Sequence, residues 1–157
     1  MERGLGRQLW NAERPMTERS WTKLWKAAET ARRRAYAPYS KFHVGAAIEC
    51  VDGSIVSGCN VENASYGLTV CAERNAVGAM ALQGKKPKRV AIVVDHVRPV
   101  PPCGMCRQVL AEFAALDVEV RSKTLDGQEL KTTVGELLPF AFTSAFLDEA
   151  KPKKKQR

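Results

Sequence analysis

Residues 71–95 read CAERNAVGAMALQGKKPKRVAIVVD. The first half is rich in Ala, Met and Leu and stops before Gly84, which predicts a helix over 71–83 that ends at a glycine. The second half contains an apolar run, which predicts a strand over 88–95 that is buried on both faces. A helix followed at once by a buried strand is the unit from which α/β folds are built. The stretch therefore predicts an α/β protein.

Further elements are predicted on both sides of this stretch. Upstream, apolar residues at helical spacing predict a helix over 20–37, which Pro38 ends. Two apolar runs over 42–51 and 54–59 surround an Asp-Gly pair and predict a β-hairpin. Downstream we predict a helix, a strand, a turn and a short helix, over 103–115, 117–120, 126–127 and 134–138. This order predicts a mixed sheet with helices on its faces.

The composition is that of one soluble globular domain. Of the 157 residues, 45% are hydrophobic and 27% are charged, which excludes a disordered or fibrous chain. No apolar run approaches the roughly 18 residues of a membrane span. The first fifteen residues lack the apolar stretch of about seven residues that an export signal needs. We therefore expect a cytoplasmic protein with no membrane partner. The odd number of cysteines, five, also argues against a disulfide framework.

The net charge of +8 is concentrated at the C terminus. Residues 151–157 carry five Lys and Arg and no acid, whereas residues 20–150 carry 16 basic and 14 acidic side chains. We interpret 20–150 as the folded domain, 1–19 as an N-terminal extension and 151–157 as a solvated basic tail. Because the domain is nearly neutral, no specific binding to nucleic acid is expected.

Three of the cysteines occur in two short motifs, each of which opens a predicted helix. The motifs are CAER at 71–74 and PCGMCR at 102–107. Two cysteines three residues apart at a helix start can direct both sulfur atoms to one metal, and the helix dipole there favours the thiolate. Cys71, Cys103 and Cys106 would form a three-ligand set. Three ligands leave one position of a tetrahedral zinc open, as in catalytic zinc sites.

Glu73, two residues after the first of these cysteines, also points to catalysis. A carboxylate at this spacing can carry a proton beside the metal without ligating it. Two alternatives explain fewer residues. A redox Cys-x-x-Cys pair gives no role to Cys71 or Glu73. A closed four-cysteine site needs Cys50 or Cys59, which lie in predicted strands where a small buried apolar side chain is common.

The two motifs together resemble the cytidine deaminase family in its small homotetrameric form with three cysteine ligands. Zinc deaminases combine a Pro-Cys-x-x-Cys segment with a glutamate that is not a ligand. The resemblance covers about residues 20–145 and includes the segments at 39–47, 58–66 and 136–139. It implies a three-layer α/β/α fold with a mixed, five-stranded sheet.

The resemblance implies that one zinc ion per chain is held by Cys71, Cys103 and Cys106. Glu73 would shuttle protons during the reaction. Zn²⁺ with three thiolates has a net charge of −1, so a cation beside the sulfur atoms would restore its Lewis acidity. Arg74 follows the glutamate directly and is the candidate for that role.

The resemblance also assigns substrate-binding residues, which are Phe42, Asn60, Glu62, Tyr66, Ala72 and Phe142. Asn60 and Glu62 would hydrogen-bond the ribose, with Glu62 at its 3′-hydroxyl. The base would lie beside Phe42 and against the backbone of Ala72. These assignments predict a small-molecule nucleoside as the substrate.

Phe142 matches an aromatic residue that reaches into the site of a neighbouring subunit, and Phe140 is an alternative for that position. We therefore expect a homotetramer. The expected activity is hydrolytic deamination of cytidine and deoxycytidine to uridine and deoxyuridine, with release of ammonia, as in pyrimidine salvage.

Other functions are weighed against this expectation. Deaminases of nucleoside antibiotics such as blasticidin S share the cysteine pattern, but the segment Asn60–Asn63 favours an ordinary ribose or deoxyribose. Deaminases that edit nucleic acids usually have His at the position of Cys71. A zinc-stabilised module that binds nucleic acid through Lys153–Lys155 would leave Glu73 without a role.

Overall fold

The computed structural model describes residues 18–149, so residues 1–17 of the predicted extension and the whole predicted basic tail lie outside it. The strands in this region are β1 (Val44–Cys50), β2 (Ile55–Cys59), β3 (Pro87–Val94), β4 (Glu119–Thr124) and β5 (Glu129–Thr133). The helices are α1 (Glu18–Arg32), α2 (Ala72–Leu82), α3 (Gly104–Phe113), α4 (Val134–Leu137) and α5 (Ser144–Glu149). Across 18–149, the model has no helix with both the length and the apolar character to span a membrane.

Within the described residues, the five strands form one mixed sheet in the order β2-β1-β3-β4-β5. β3 and β4 are parallel, and the other neighbouring pairs are antiparallel. Helix α1 packs on one face, where Trp21 and Leu24 contact Ala47 and Ala91 of the sheet. Helices α2 and α3 cover the opposite face. The predicted three-layer α/β/α fold with a mixed, five-stranded sheet is therefore confirmed.

Helix α1 ends at Arg32, five residues before the predicted end. The Tyr36 N–H donates to the Asn60 carbonyl at 3.0 Å, and the Glu62 N–H donates to the Tyr36 carbonyl at 2.8 Å. The chain before Pro38 is thus paired with the residues that follow β2. This pairing competes with the helix for the backbone N–H groups, and Pro38 is not what ends the helix.

The sequence prediction missed β5 and displaced β4. Both strands carry charged residues that break the expected apolar pattern. In β4, the guanidinium of Arg121 lies 4.1 Å from the ring centroid of Trp21, and Lys123 Nζ lies 5.4 Å from that of Trp25. These cations lie over aromatic rings of α1. Both side chains therefore lie between the sheet and α1 although they are charged. The turn predicted at 126–127 joins the two strands, with Gly127 at φ +97°.

Two glycines on neighbouring strands fix how closely the helices approach the sheet. A Cβ atom at Gly45 would lie 2.0 Å from the Ala28 carbonyl oxygen of α1. A Cβ atom at Gly58 would lie 2.5 Å from the Ala76 nitrogen of α2. Both neighbours are backbone atoms, which cannot move aside as a flexible side chain can. Helices α1 and α2 therefore rest directly on strand backbone from opposite faces.

We expect Gly45→Ala to lower the free energy of unfolding by about 3 kcal/mol, because the new methyl group forces α1 away from β1. Gly78→Ala is the matched control, since no atom lies within 4 Å of the added Cβ in mid-helix α2. Removing a helical glycine there is expected to raise stability by about 0.5 to 1 kcal/mol. Urea unfolding of both variants measures the difference. Equal stability of the two proteins would contradict the close approach of α1.

Candidate active site

The three motif cysteines lie together where α2 and α3 begin. Cys71 is the N-cap of α2, Cys103 is the N-cap of α3, and Cys106 lies in the first turn of α3. The Cys71 and Cys103 sulfur atoms are 3.8 Å apart, and those of Cys103 and Cys106 are 3.4 Å apart. Sulfur ligands about 2.3 Å from one tetrahedral zinc would be about 3.8 Å apart. The cluster therefore fits a zinc ion without rearrangement of the backbone.

The electrostatics of the cluster also favour a bound cation. A hydrogen bond from Cys106, with contributions from Cys103 and Arg74, lowers the pKa of the Cys71 thiol to about 5. The same interaction with Cys71, together with burial, raises the pKa of Cys106. Neighbouring thiolates disfavour each other, so only a cation at their centre keeps all three deprotonated.

Glu73 lies in the first turn of α2 and is 6% exposed. Burial raises the pKa of its carboxyl group, and the charge of Cys71 acts in the same direction. Its carboxylate accepts a hydrogen bond from the Cys106 thiol. Among the described residues, the side chains close enough together to hold a metal are the three cysteines, and Glu73 is outside that group. The site thus has a buried carboxyl group beside the three cysteines.

Arg74 links the cluster to the segment that precedes α2. Its Nη2 donates to the Thr69 carbonyl at 2.7 Å, and its guanidinium also hydrogen-bonds the Cys71 sulfur. A positive charge beside a thiolate stabilises the ionised form. The role of Arg74 in offsetting the charge of the thiolates stays a prediction.

Asn60 and Phe42 are joined by the side chain of Asn60, which is 8% exposed. Its Nδ2 donates to the Phe42 carbonyl at 2.8 Å, and its Oδ1 accepts from the Val44 N–H at 2.8 Å. The amide therefore secures the beginning of β1, and it retains one donor and one acceptor for another partner. The ring of Phe42 lies edge-on to His96, with centroids 6.1 Å apart.

Glu62 borders a pocket of about 430 Å³, whose lining residues are Tyr39, Ser40, Glu62, Tyr66 and Thr69. Its Oε2 accepts from the N–H groups of Tyr39 and Ser40 at 2.9 and 3.2 Å, and its Oε1 accepts from the Ser40 hydroxyl. The hydroxyl contact, followed by the two backbone contacts, lowers the pKa of this carboxyl group. Glu62 therefore presents an ionised acceptor to the pocket.

Ser40 and Thr69 are site residues to which the sequence prediction gave no role. Ser40 lies in the segment 39–47 that carried the resemblance, but its hydroxyl acts by binding another side chain, which sequence spacing does not reveal. Thr69 accepts at its carbonyl from Arg74 and at its hydroxyl from the Asn63 N–H, five and six residues away, which sequence spacing does not reveal either.

The predicted aromatic contacts lie on the surface of the single chain. Tyr66 is 76% exposed and Phe142 is 58% exposed, whereas Phe140 is 96% exposed. Phe142 stacks on Phe146 with ring centroids 5.8 Å apart. The Phe142 carbonyl accepts a hydrogen bond from Gln108 Nε2 at 2.8 Å. Gln108 lies in α3, two residues after Cys106. Of the two candidates, Phe142 is the one with both a stacking partner and a hydrogen bond to helix α3.

Comparison of the sequence and the structure with known proteins points to a zinc-binding family. Residues 19–121 match the family described as the cytidine and deoxycytidylate deaminase zinc-binding region. The chain belongs to this family. It is 50% identical over 127 residues to the cytidine deaminase of Halalkalibacterium halodurans, an alignment that covers 80% of this chain and 96% of the relative. It is also similar to the crystal structure of cytidine deaminase from Burkholderia pseudomallei, with 45% identity and a TM-score of 0.74, covering 81% of this chain and 100% of that one.

A less similar relative is the blasticidin-S deaminase of Bacillus cereus. It is 36% identical over 113 residues, which cover 66% of this chain and 79% of the relative. The family match and the cysteine cluster together confirm the predicted zinc cofactor and the predicted resemblance. The roles of individual substrate-binding residues stay predictions.

We expect Cys106→Ala to abolish stoichiometric zinc binding, because it removes one of three ligands and leaves two thiolates without the third. Cys59→Ala is the matched control, since Cys59 is a free cysteine at the end of β2 and outside the cluster. Elemental analysis of the purified variants gives the zinc per chain. Full zinc occupancy in Cys106→Ala would contradict the three-cysteine site.

Proposed function

We propose that the protein is a zinc-dependent deaminase that converts cytidine and deoxycytidine, with water, to uridine and deoxyuridine and ammonia. The observation that carries the proposal is the buried carboxyl group of Glu73 beside three sulfur atoms whose spacing fits zinc. Membership of the family and the similarity to enzymes named cytidine deaminase support it. A location in the cytoplasm and a role in pyrimidine salvage belong to the same proposal.

Zinc held by Cys71, Cys103 and Cys106 would supply a nucleophile from water at neutral pH. Glu73 accepts the proton that this water loses. The water oxygen forms a bond to C4 while Glu73 delivers that proton to N3 of the cytosine ring. Glu73 then accepts the proton of the new C4 hydroxyl group and passes it to the amino group, so that the bond between C4 and the amino nitrogen breaks and ammonia leaves. Burial suits the carboxyl group to this task, because its raised pKa lies closer to the operating pH than that of an exposed glutamate.

Arg74 stabilises the thiolate of Cys71 by charge and by a hydrogen bond. Three thiolates donate much negative charge to a zinc ion and weaken its action as a Lewis acid. The Arg74 guanidinium withdraws part of that charge through Cys71. The positive ends of α2 and α3, where Cys71 and Cys103 lie, act in the same direction.

The substrate would lie between the cluster and the pocket beside Glu62. In this proposal Glu62 accepts a hydrogen bond from the ribose 3′-hydroxyl, and the amide of Asn60 donates its remaining N–H to the sugar. The ring of Phe42 covers the base, and the backbone of Ala72, between Cys71 and Glu73, binds the pyrimidine edge. The contacts to the sugar and the contacts to the base thus orient the nucleoside, and neither set takes part in breaking a bond.

The ultraviolet absorbance of cytidine, deoxycytidine and blasticidin S, measured side by side on zinc-analysed protein, tests the proposal. Turnover of cytidine or deoxycytidine with about one zinc per chain is the expected result. Turnover of blasticidin S alone would transfer the assignment to the antibiotic deaminases, of which one is a relative. An inactive protein with full zinc content would contradict both assignments.

We expect Glu73→Gln to keep zinc and fold while turnover of cytidine falls by roughly 10³-fold or more, because proton transfer to N3 loses its carrier. Glu112→Gln, on the exposed side of α3, is the matched control and should turn over normally. The measured quantities are kcat and zinc content for both variants. A Glu73→Gln enzyme with normal kcat would exclude the proton shuttle.

We further propose a homotetramer in which Phe142 completes a neighbouring site. The exposure of Phe142 and of Tyr66, next to the pocket, supports this assembly. We expect four chains by native mass spectrometry and, for Phe142→Ala, a loss of about tenfold in kcat/KM as an aromatic contact is removed. Phe140→Ala is the matched control and should be normal. An equal loss in both variants, or a fully active monomer, would contradict the assignment.

A further inference from the structure

The carboxylate of Glu62 is held by one turn, residues 39–42, that also leads to Phe42. Three donors from this turn reach Glu62, two of them backbone N–H groups and the third the Ser40 hydroxyl. An ionised carboxylate offers about four acceptor positions, two on each oxygen. The backbone groups occupy Oε2, whereas Oε1 has Ser40 as its partner and one position left.

The Ser40 hydroxyl also connects Glu62 to Phe42. Its oxygen accepts from the Phe42 N–H at 3.0 Å while its hydrogen is donated to Glu62. Between them, Lys41 has φ +59°, a left-handed conformation that is uncommon for a residue other than glycine. The Phe42 carbonyl is in turn bound by Asn60. One hydroxyl group therefore lies between the side chain proposed to bind the sugar and the residue proposed to cover the base.

We propose that Ser40 is a positioning residue for nucleoside binding, which aims Oε1 of Glu62 at one ribose hydroxyl and fixes the backbone of Phe42. This inference rests on the proposed function of the site. Ser40 touches neither the cysteine cluster nor Glu73 in the hydrogen bonds described above, so it acts on substrate affinity and not on the chemical step. The one acceptor position left on Oε1 suits a single hydroxyl donor, the 3′-hydroxyl that cytidine and deoxycytidine share.

Loss of the Ser40 hydroxyl would release only one of the two oxygens of the Glu62 carboxylate. The two backbone donors would still hold Oε2, so the side chain would stay near the pocket. Oε1 would lose its protein partner, and the direction of its remaining lone pair would no longer be fixed. Because hydrogen bonds to ionised groups are about twice as strong as neutral ones, the effect on affinity should be measurable.

Steady-state kinetics of Ser40→Ala on cytidine and on 3′-deoxycytidine test the inference. We expect KM for cytidine to rise about tenfold, with kcat within about twofold of the unsubstituted enzyme, since positioning acts on binding. On 3′-deoxycytidine, which lacks the hydroxyl that Oε1 binds, the rise should shrink to about twofold. Ser40→Thr keeps a hydroxyl group and should restore KM for cytidine.

Ser54→Ala is the matched control. Ser54 also donates its hydroxyl to a carboxylate in a turn, that of Asp52 at 2.5 Å, but it lies at the opposite end of β2 from Asn60. Normal KM in this variant and a normal melting temperature in Ser40→Ala complete the expected result.

An unchanged KM for Ser40→Ala, or an equal rise on both nucleosides, would overturn the positioning role while the deaminase function stands. A fall in kcat and zinc content together with the melting temperature would show that Ser40 acts on folding, which also overturns it. No turnover of cytidine by the zinc-loaded, unsubstituted enzyme would overturn the proposed function itself and this inference with it.

Discussion

Three thiolates can share a volume a few ångströms across only when a cation neutralises their repulsion, and much of the fold serves that requirement. Two helices begin at the same place, so their unpaired N–H groups and dipoles stabilise negative charge from two directions. Cys71 and Cys103 occupy the N-cap positions of α2 and α3, and neither side chain makes a capping hydrogen bond. Arg74 adds a full positive charge beside the Cys71 sulfur. Strand β2 supports the beginning of α2 directly, because the backbone of Ala72 and Ala76 rests on Gly58.

The cluster could be predicted because each half of it is a local motif. Cys103 and Cys106 are three residues apart at one helix start, and Glu73 follows Cys71 by two at another. Cys71 and Cys103 are 32 residues apart, and their proximity was predicted because the two motifs occur together. The prediction was poorer where a distant partner carries no motif. Helix α1 ends early because Tyr36 pairs with residues beyond β2, and Ser40 acquires a role from Glu62, 22 residues away. Neither partner leaves a periodic pattern that could be read in advance.

The charged strands illustrate a second limit of the sequence pattern. A prediction based on apolar alternation treats Arg121 and Lys123 as solvent-facing residues. In the structure their cations lie over the rings of Trp21 and Trp25, and their aliphatic stems take part in the layer. Glu119 pairs with Arg121, and Glu129 pairs with Lys123. Aromatic and charged residues therefore border the layer beneath α1. A count of apolar residues in the sequence does not detect them.

The site divides its two tasks between different kinds of structure. The three cysteines and Glu73 lie at the N-caps and first turns of two helices. The groups proposed to bind the sugar and base come from the turn at 39–42 and from the strand end at 60–62, which are joined by side-chain hydrogen bonds. Such a division lets new substrates be acquired by remodelling loops while the reaction stays the same.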